Sequence, residues 1–287
     1  MSNQVKIAMT SCVKVQNQSV QPVWDAIDKF EPTILVLGGD NIYAHQKKLK
    51  KDYMIEKYER QYISDVPNYK KLLDKMTPNI VSVWDDHDFG KNNSKGDEEP
   101  QWWKDFVKEQ FVKYNYWSAD RVPETAGIYH SYLKDGVKFI MLDVRTFRTK
   151  ARKCFGLKKY PNRKFLGDAQ WLWLEKELVH DGAIVIVSGS TFSRGKDGWK
   201  NYPEERERFL KVCMGIKSPV TLLSGDIHTN KLVHYYDGMG NIMTEVTSSG
   251  AGRDNLDNWA EVIVDSELGL RYYLFHGDVA KEIDIRL

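Results

Sequence analysis

Thr-Ile-Leu-Val-Leu-Gly-Gly-Asp-Asn-Ile-Tyr, residues 33–43, is the stretch of sequence that decides the fold. Its first five residues are an apolar run, which predicts a short strand buried on both faces. Gly38 and Gly39 end that strand and allow the backbone to turn tightly. Asp40 therefore follows the carboxyl end of a strand, where α/β sheets place their ligands. On this stretch alone Asp40 is a metal ligand or a turn-capping residue, and the other strand ends must decide between the two.

The rest of the chain alternates between short apolar runs and helical patterns. Residues 5–9 predict a strand and residues 22–30 a helix, so the chain opens as a β-α-β unit with a parallel strand pair. The further predicted strands cover residues 80–84, 129–133, 137–142, 183–187, 220–223, 232–236, 241–247, 270–276 and 280–285. This order indicates an α/β fold with mixed sheets. Because no linker or repeat divides the 287 residues, we expect a single domain, residues 1–287.

The composition argues against several classes of protein. A net charge of +2 gives no global attraction to nucleic acid, and no apolar run reaches the roughly 20 residues of a membrane span. Cys12, Cys154 and Cys213 form neither a disulfide framework nor a CxxC zinc pair. Residues 1–10 carry no charged-then-apolar leader, so we expect no signal peptide and a cytoplasmic location.

Four predicted strands end in side chains that bind cations. These are Cys12 after the first strand, Asp40 with Tyr43, Asp86 and His87 with Asn92, and Asp226 with His228. Strand ends of one sheet converge on one rim, where several anionic ligands repel each other unless cations lie between them. The pattern therefore predicts at least two cations. Oxygen and imidazole ligands suit calcium, manganese, iron and zinc, whereas a thiolate and a phenolate favour ferric iron.

Some of these residues have a second interpretation. Taken singly, Cys12 is typical of a small buried hydrophobe and Tyr43 of a core aromatic. Arg145 has an acidic neighbour, Asp143, with which it could form only a salt bridge. Residues 150–164 contain seven Lys or Arg side chains, which indicate a solvated loop or a lid that recruits a polyanionic substrate.

The strand-end motifs together resemble a known family. Gly39-Asp40-Asn41-Ile42-Tyr43, Trp84-Asp85-Asp86-His87-Asp88, Leu142-Asp143-Val144-Arg145 and Ser224-Gly225-Asp226-Ile227-His228 are similar to the signature blocks of the alkaline phosphatase D (PhoD-like) family. That family belongs to the metallophosphoesterase superfamily. Ser11-Cys12 and residues 245–250 also match in order and position, so the resemblance runs from about residue 5 to 285. It implies a four-layer αββα sandwich of two mixed sheets.

The resemblance also implies a role for each motif residue. Ferric iron (Fe3+) would be held by Cys12, Asp40, Tyr43 and His228, with Asp40 also touching calcium (Ca2+). The second metal position would be held by Asp86, Asn92 and Asp226, and zinc or manganese would suit the same ligands. His87 would donate a proton to the leaving group. Arg145, and as a second choice Arg148, would bind the non-bridging oxygens of the substrate phosphate.

The sequence departs from the family pattern in two respects. We expect neither the secretory leader nor the N-terminal β domain that many relatives, which are often exported, carry. The penultimate strand of superfamily members outside this family is followed by a metal-binding His. Here that strand ends in Ser188-Gly189-Ser190-Thr191 without a His, which supports the PhoD-like branch.

We therefore expect metal-dependent hydrolysis of phosphoric esters by in-line attack of metal-bound hydroxide. The enzyme would be a phosphomonoesterase, a phosphodiesterase or both, acting on a small-molecule, lipid-type or nucleotide-type phosphate ester. We expect no stable complex with nucleic acid. Two alternatives stay open: a non-catalytic protein that binds a phosphoryl ligand on the same fold, and a hydrolase of a bond other than a phosphoester.

Overall fold

The fold is built from two six-stranded sheets and seven α-helices within the residues that the structure describes. It is a computed structural model, and it describes residues 4–14, 20–44, 48–115, 124–150, 163–195, 197–218, 220–238, 240–252, 256–265 and 269–286. The helices are α1 (Pro22–Phe30), α2 (Lys51–Glu59), α3 (Pro67–Met76), α4 (Asp86–Phe89), α5 (Gln101–Tyr114), α6 (Asp168–Glu177) and α7 (Pro203–Met214). The strands are β1 (Gln4–Thr10), β2 (Ile34–Gly38), β3 (Ile80–Val83), β4 (His130–Lys134), β5 (Val137–Met141), β6 (Ile184–Ser188), β7 (Val220–Ser224), β8 (Lys231–Asp237), β9 (Gly240–Thr247), β10 (Asn258–Asp265), β11 (Gly269–His276) and β12 (Val279–Arg286).

The first sheet has the strand order β12-β11-β10-β1-β2-β3. Its strands β1, β2 and β3 run parallel, with Thr10 opposite Leu37 and Gly38 opposite Val83. β10 pairs antiparallel with β1 and connects the β11–β12 hairpin to the parallel strands. The carboxyl ends of β1, β2 and β3 therefore lie side by side at one end of the sheet.

The second sheet has the strand order β4-β5-β6-β7-β9-β8. Strands β5, β6, β7 and β9 run parallel, and β4 and β8 flank them in antiparallel orientation. Ser224 at the end of β7 pairs with Ser188 of β6 and with Thr247 of β9. The carboxyl ends of these three strands are thus aligned as well.

Alternating side chains of the second sheet build two apolar layers. Val185 and Val187 of β6 belong to the core shared with the first sheet, whereas Ile184 and Ile186 pack in a separate cluster with α6 and α7. The helices α1, α3 and α5 bury residues such as Trp24 against the first sheet. Strands that are covered on both faces have continuous apolar sequences, as β2 and β6 do. The layers follow the order helix, sheet, sheet, helix.

The αββα sandwich of two mixed sheets is confirmed, with two local differences from the sequence prediction. β10 was not predicted, because its partner β1 lies some 250 residues earlier in the chain and nothing local marks the pairing. Asp86–Phe89 form one helical turn, α4, where no helix was predicted. Residues 151–162 of the basic stretch lie outside the described residues, so the loop and lid interpretations both stay predictions. In the part of the chain that the structure describes, no helix is long and apolar enough to cross a membrane.

Candidate active site

The candidate site lies at the carboxyl ends of the parallel strands, where the two sheets touch. A Cβ atom on Gly189, just after β6, would stand 2.4 Å from the carbonyl oxygen of Trp84. A Cβ atom on Gly225, just after β7, would stand 2.5 Å from the Ser11 hydroxyl. Glycine at these two positions therefore lets the strand ends of one sheet approach those of the other.

Four of the predicted metal ligands have a left-handed backbone. The φ angles are 56° at Cys12, 50° at Asp40, 76° at Asp226 and 52° at His228. Side chains crowd the backbone in this region, and such a conformation costs roughly 1–3 kcal/mol per residue. Strain of this kind concentrates at catalytic and ligand-binding sites, because only there does the surrounding structure hold it in place. Four of the eight non-glycine residues with positive φ in the described part of the chain are thus predicted ligands.

Asp40 lies at the centre of the cluster. Asp40, Asp86 and His87 each offer one ligand atom, and these atoms all lie within 4.8 Å of one another. The His87 backbone N–H donates to Asp40 Oδ1 at 3.1 Å, and the Cys12 thiol lies 3.5 Å from Asp40 Oδ2. Cys12, Asp40, Asp86 and His87 are all buried. The ends of β1 and β2 and the first turn of α4 therefore meet at one carboxylate.

Tyr43 and His228 border the same cluster. The Tyr43 hydroxyl lies 2.8 Å from His228 Nε2, and the Tyr43 ring packs on His87 with the ring centroids 4.4 Å apart. The backbone N–H of His228 donates to the Ser249 hydroxyl at 2.9 Å, which fixes the loop after β7. Tyr43, His87 and His228 thus meet beside Asp40, although they come from three different strand ends.

The charges of the cluster call for a cation. Burial raises the pKa of Asp40 well above its usual range, and the nearby carboxylates, Asp86 first, raise it further. Burial, with Asp85 next, raises the pKa of Asp226 to about 7. Burial and then Asp40 raise the pKa of the Cys12 thiol. Protons reduce this repulsion in the absence of metal, and cations do the same in its presence. A buried set of carboxylate, imidazole, thiol and phenol donors therefore fits metal ions.

Arg145 lies beside this cluster in a fully buried position. Its Nε donates to Asp85 Oδ1 at 2.6 Å, and its Nη2 lies 3.6 Å from Asp86 Oδ1. Burial acts to raise the pKa of Asp86, but Arg145 and then His87 outweigh it, so the net direction is downward. The alternative partner of Arg145, Asp143, instead accepts hydrogen bonds from the Trp84 indole and from backbone N–H groups, including that of Arg145. The simple Arg145–Asp143 salt bridge is therefore wrong.

Sequence reasoning missed a carboxylate that joins the two arginines. Asp197 Oδ2 accepts hydrogen bonds from Arg145 Nη1 at 2.7 Å and from Arg148 Nη1 at 2.8 Å. Ser190 at the end of β6 lies between the arginines and Asp85: Arg148 Nη2 donates to its hydroxyl, which donates to Asp85 Oδ1. The segment after β6, which has no metal-binding His, thus contributes the Ser190 hydroxyl to the hydrogen bonds of the arginines.

Asn92 is the predicted ligand that stands apart. It is exposed in the loop after α4, whereas the backbone N–H of its neighbour Asn93 donates to Asp86 Oδ2 at 2.5 Å. A ligand role for Asn92 stays a prediction. A cavity of about 770 Å³ near His180 and Lys217 lies between the ends of α6 and α7, and none of the predicted ligands lines it.

Comparisons with known proteins agree with this fold. The family model of the PhoD-like phosphatase matches residues 7–263. The chain resembles a solved structure of PhoD at 17% identity with a TM-score of 0.78, covering 99% of this chain and 68% of that one. A dimetal phosphatase from Danio rerio matches at 12% identity and a TM-score of 0.61, covering 98% of both chains. GAP50, the anchor in the inner membrane complex of Plasmodium, matches at 14% identity with a TM-score of 0.56, covering 99% of this chain and 90% of that one. No curated protein matches the chain by sequence.

Proposed function

The chain belongs to the PhoD-like phosphatase family, and on that premise we propose that it is a metal-dependent phosphoric ester hydrolase active on phosphomonoesters, phosphodiesters or both. Family membership supports phosphoester hydrolysis in general. The observation that carries the proposal is the meeting of Asp40, Asp86 and His87 within 4.8 Å at a strained strand end.

The metal ligands follow from the cluster around Asp40. Cys12, Asp40, Tyr43 and His228 would hold ferric iron, and Asp86, Asp226 and Asn92, with Asp40 between the two positions, would hold calcium. When bound, such ions polarise the phosphoryl oxygens and lower the pKa of water near phosphorus. The Cys12 thiol already contacts Asp40 and the Tyr43 phenol contacts His228, so the four iron ligands form two adjacent pairs.

His87 is the proposed proton donor. Its backbone is tied to Asp40, and its ring packs against Tyr43, so the imidazole is held in place beside the cluster. A positioned imidazole can protonate a departing alkoxide. Arg145 holds Asp86 ionised from the opposite side and is the proposed partner of the non-bridging phosphate oxygens, with Arg148 behind it.

Substrate turnover with and without a chelator tests this proposal. We expect the purified protein to hydrolyse p-nitrophenyl phosphate, bis-p-nitrophenyl phosphate or both, to lose the activity on prolonged chelation, and to regain it on return of the metals found by mass spectrometry. The ratio of the two rates decides between monoester and diester preference. A metal-loaded, folded protein that binds phosphate yet turns over neither compound would contradict catalysis and favour the binding role.

Tyr43 provides an independent test of iron. Phenolate bound to ferric iron absorbs visible light, so the metal-loaded protein should be coloured and Tyr43→Phe should lose the colour while keeping its fold. A colourless, iron-free and fully active preparation would remove iron from the proposal and leave the other cations in place.

A further inference from the structure

The loop after β6 approaches the site from the side of the second sheet. A Cβ atom on Gly195 would stand 3.1 Å from Asp226 Oδ2, so this loop passes directly beside a proposed metal ligand. Two residues later, Asp197 extends its side chain to the two arginines. The same loop therefore contacts the two arginines and passes beside a proposed ligand.

All three nitrogens of the Arg145 guanidinium already donate to acceptors of this chain. Nε donates to Asp85, Nη1 to Asp197 and to the carbonyl oxygen of Ser94, and Nη2 faces Ser190 and Asp86. A guanidinium has five N–H groups, and four of them donate to acceptors of this chain, while the second N–H of Nη2 faces Asp86 Oδ1 at 3.6 Å. A phosphate oxygen can take the position in front of Nη1 only if Asp197 leaves it.

We propose that Asp197 occupies the phosphate-binding position of the Arg145–Arg148 pair and is displaced when a phosphoryl group binds. One carboxylate oxygen shared by two guanidinium groups is the arrangement that a phosphate oxygen also adopts with arginines. The inference rests on the proposed function, since it assigns a competitor for the substrate of the same site.

Asp197 is the acceptor best suited to leave. Its side chain is 13% exposed, whereas those of Arg145 and Arg148 are fully buried. Its backbone carbonyl oxygen accepts a separate hydrogen bond from Arg148 Nη1 at 2.8 Å, so the side chain can rotate while the loop stays attached. Lys95 Nζ lies 3.6 Å from the other carboxylate oxygen and can pair with it after release. Asp85 and Ser190, in contrast, are buried behind the arginines.

The charges favour this exchange. A phosphate monoester brings up to two negative charges to a position that Asp197 fills with one, so the arginines stay neutralised throughout. If Asp197 instead held the two arginines in place permanently, removal of its charge would weaken the arginine pair and therefore the binding of phosphate. The two roles therefore predict opposite changes in phosphate affinity.

Asp197→Asn tests the exchange, because it keeps the shape of the side chain and removes the charge that competes. We expect the dissociation constant of inorganic phosphate, measured by calorimetry on the metal-loaded protein, to fall about tenfold, which corresponds to about 1.4 kcal/mol. KM and the inhibition constant of phosphate should fall in parallel. Asp74→Asn is the matched control, since Asp74 forms an exposed ion pair with Lys70 on α3; phosphate affinity should be unchanged in it.

Unchanged or weaker binding of phosphate by folded Asp197→Asn would overturn the proposal. If that variant fails to fold, a crystal structure of the native protein soaked in inorganic phosphate decides: phosphate on Arg145 with Asp197 turned away supports the exchange, and an undisturbed Asp197–Arg145 contact refutes it. Tighter phosphate binding in a protein without turnover would leave the exchange standing and remove the proposed function. Turnover without tighter phosphate binding in the variant would refute the exchange and leave the proposed function standing.

Discussion

The two halves of the candidate site handle charge in opposite ways. The acidic half, Cys12, Asp40, Asp86 and Asp226, collects acidic groups, and the pKa values of Cys12, Asp40 and Asp226 are raised. The arginine half, Arg145, Arg148, Ser190 and Asp197, pairs every guanidinium with acceptors of this chain. In the arginine half each guanidinium has acceptors of this chain, whereas in the acidic half Arg145 offsets only part of the negative charge and cations from outside the chain would offset the rest. This contrast is the strongest physical argument for metal in the acidic half.

The largest expected effect comes from breaking the acidic half at its centre. Asp40→Asn keeps the size of the side chain but removes a charge that we place between two cations, so kcat should fall by about 10³-fold or more. Circular dichroism should be unchanged, and bound metal, measured by mass spectrometry, should drop. The control is Asp74→Asn, with normal activity. Native rates in Asp40→Asn would refute the bridging role.

His87→Gln should give the next largest effect, and the leaving group should decide its size. Loss of a proton donor should slow an alkyl phosphate by about 10²–10⁴-fold. p-Nitrophenyl phosphate should be slowed much less, because nitrophenolate leaves without a proton. Equal losses for both substrates, together with loss of metal, would show that His87 acts as a ligand in the acidic half.

Arg145→Lys tests whether the arginine half depends on the guanidinium geometry or on charge alone. Lysine keeps the charge but cannot span Asp85 and Asp197 together, so kcat/KM should fall about 10- to 100-fold and the melting temperature should drop. Arg208→Lys, which alters an exposed pair with Glu175, is the matched control. A fully active and equally stable Arg145→Lys would show that one positive charge is sufficient.

Glu261→Gln should have the smallest effect of these substitutions. It tests how burial, without repulsion from nearby carboxylates, changes the pKa of a carboxyl group. Burial alone raises the pKa of this β10 carboxyl from its ordinary 4.5 to about 7, against an opposing influence of Lys6. This carboxyl therefore contributes a loss of stability as the pH rises from about 4.5 to 7, and that contribution should be absent from the variant. At pH 8 its melting temperature should be higher by about 2 °C at most, since the side chain is partly exposed and screened. A melting curve with the native pH dependence would contradict this assignment.

Strand-end residues were readable from the sequence because their position is fixed by local pattern. Asp40 follows a recognisable apolar run after Gly38 and Gly39, and Asp226 follows another after Ser224 and Gly225. The sheet then brings these ends together, because parallel strands share one direction. The motif resemblance added the αββα layering, which the order of elements alone left open between mixed-sheet folds.

The contact of Asp197 with the two arginines could not be predicted from the sequence in this way. Asp197 lies nine residues beyond the last residue of β6, in a glycine-containing loop without hydrophobic periodicity, and its partners Arg145 and Arg148 are about 50 residues away. Only the folded loop shows which charge it meets. β10 was missed for a related reason, since its pairing with β1 joins opposite ends of the chain.

The left-handed backbone at Cys12 limits how the centre can be re-engineered. Valine and other β-branched residues are excluded there by steric clash, whereas Asn and Asp tolerate this conformation best after glycine. An exchange of sulfur for an amide or carboxylate oxygen is thus compatible with the main chain as it stands. At the proposed metal centre, retuning toward harder ions such as manganese would begin with a new side chain at this position.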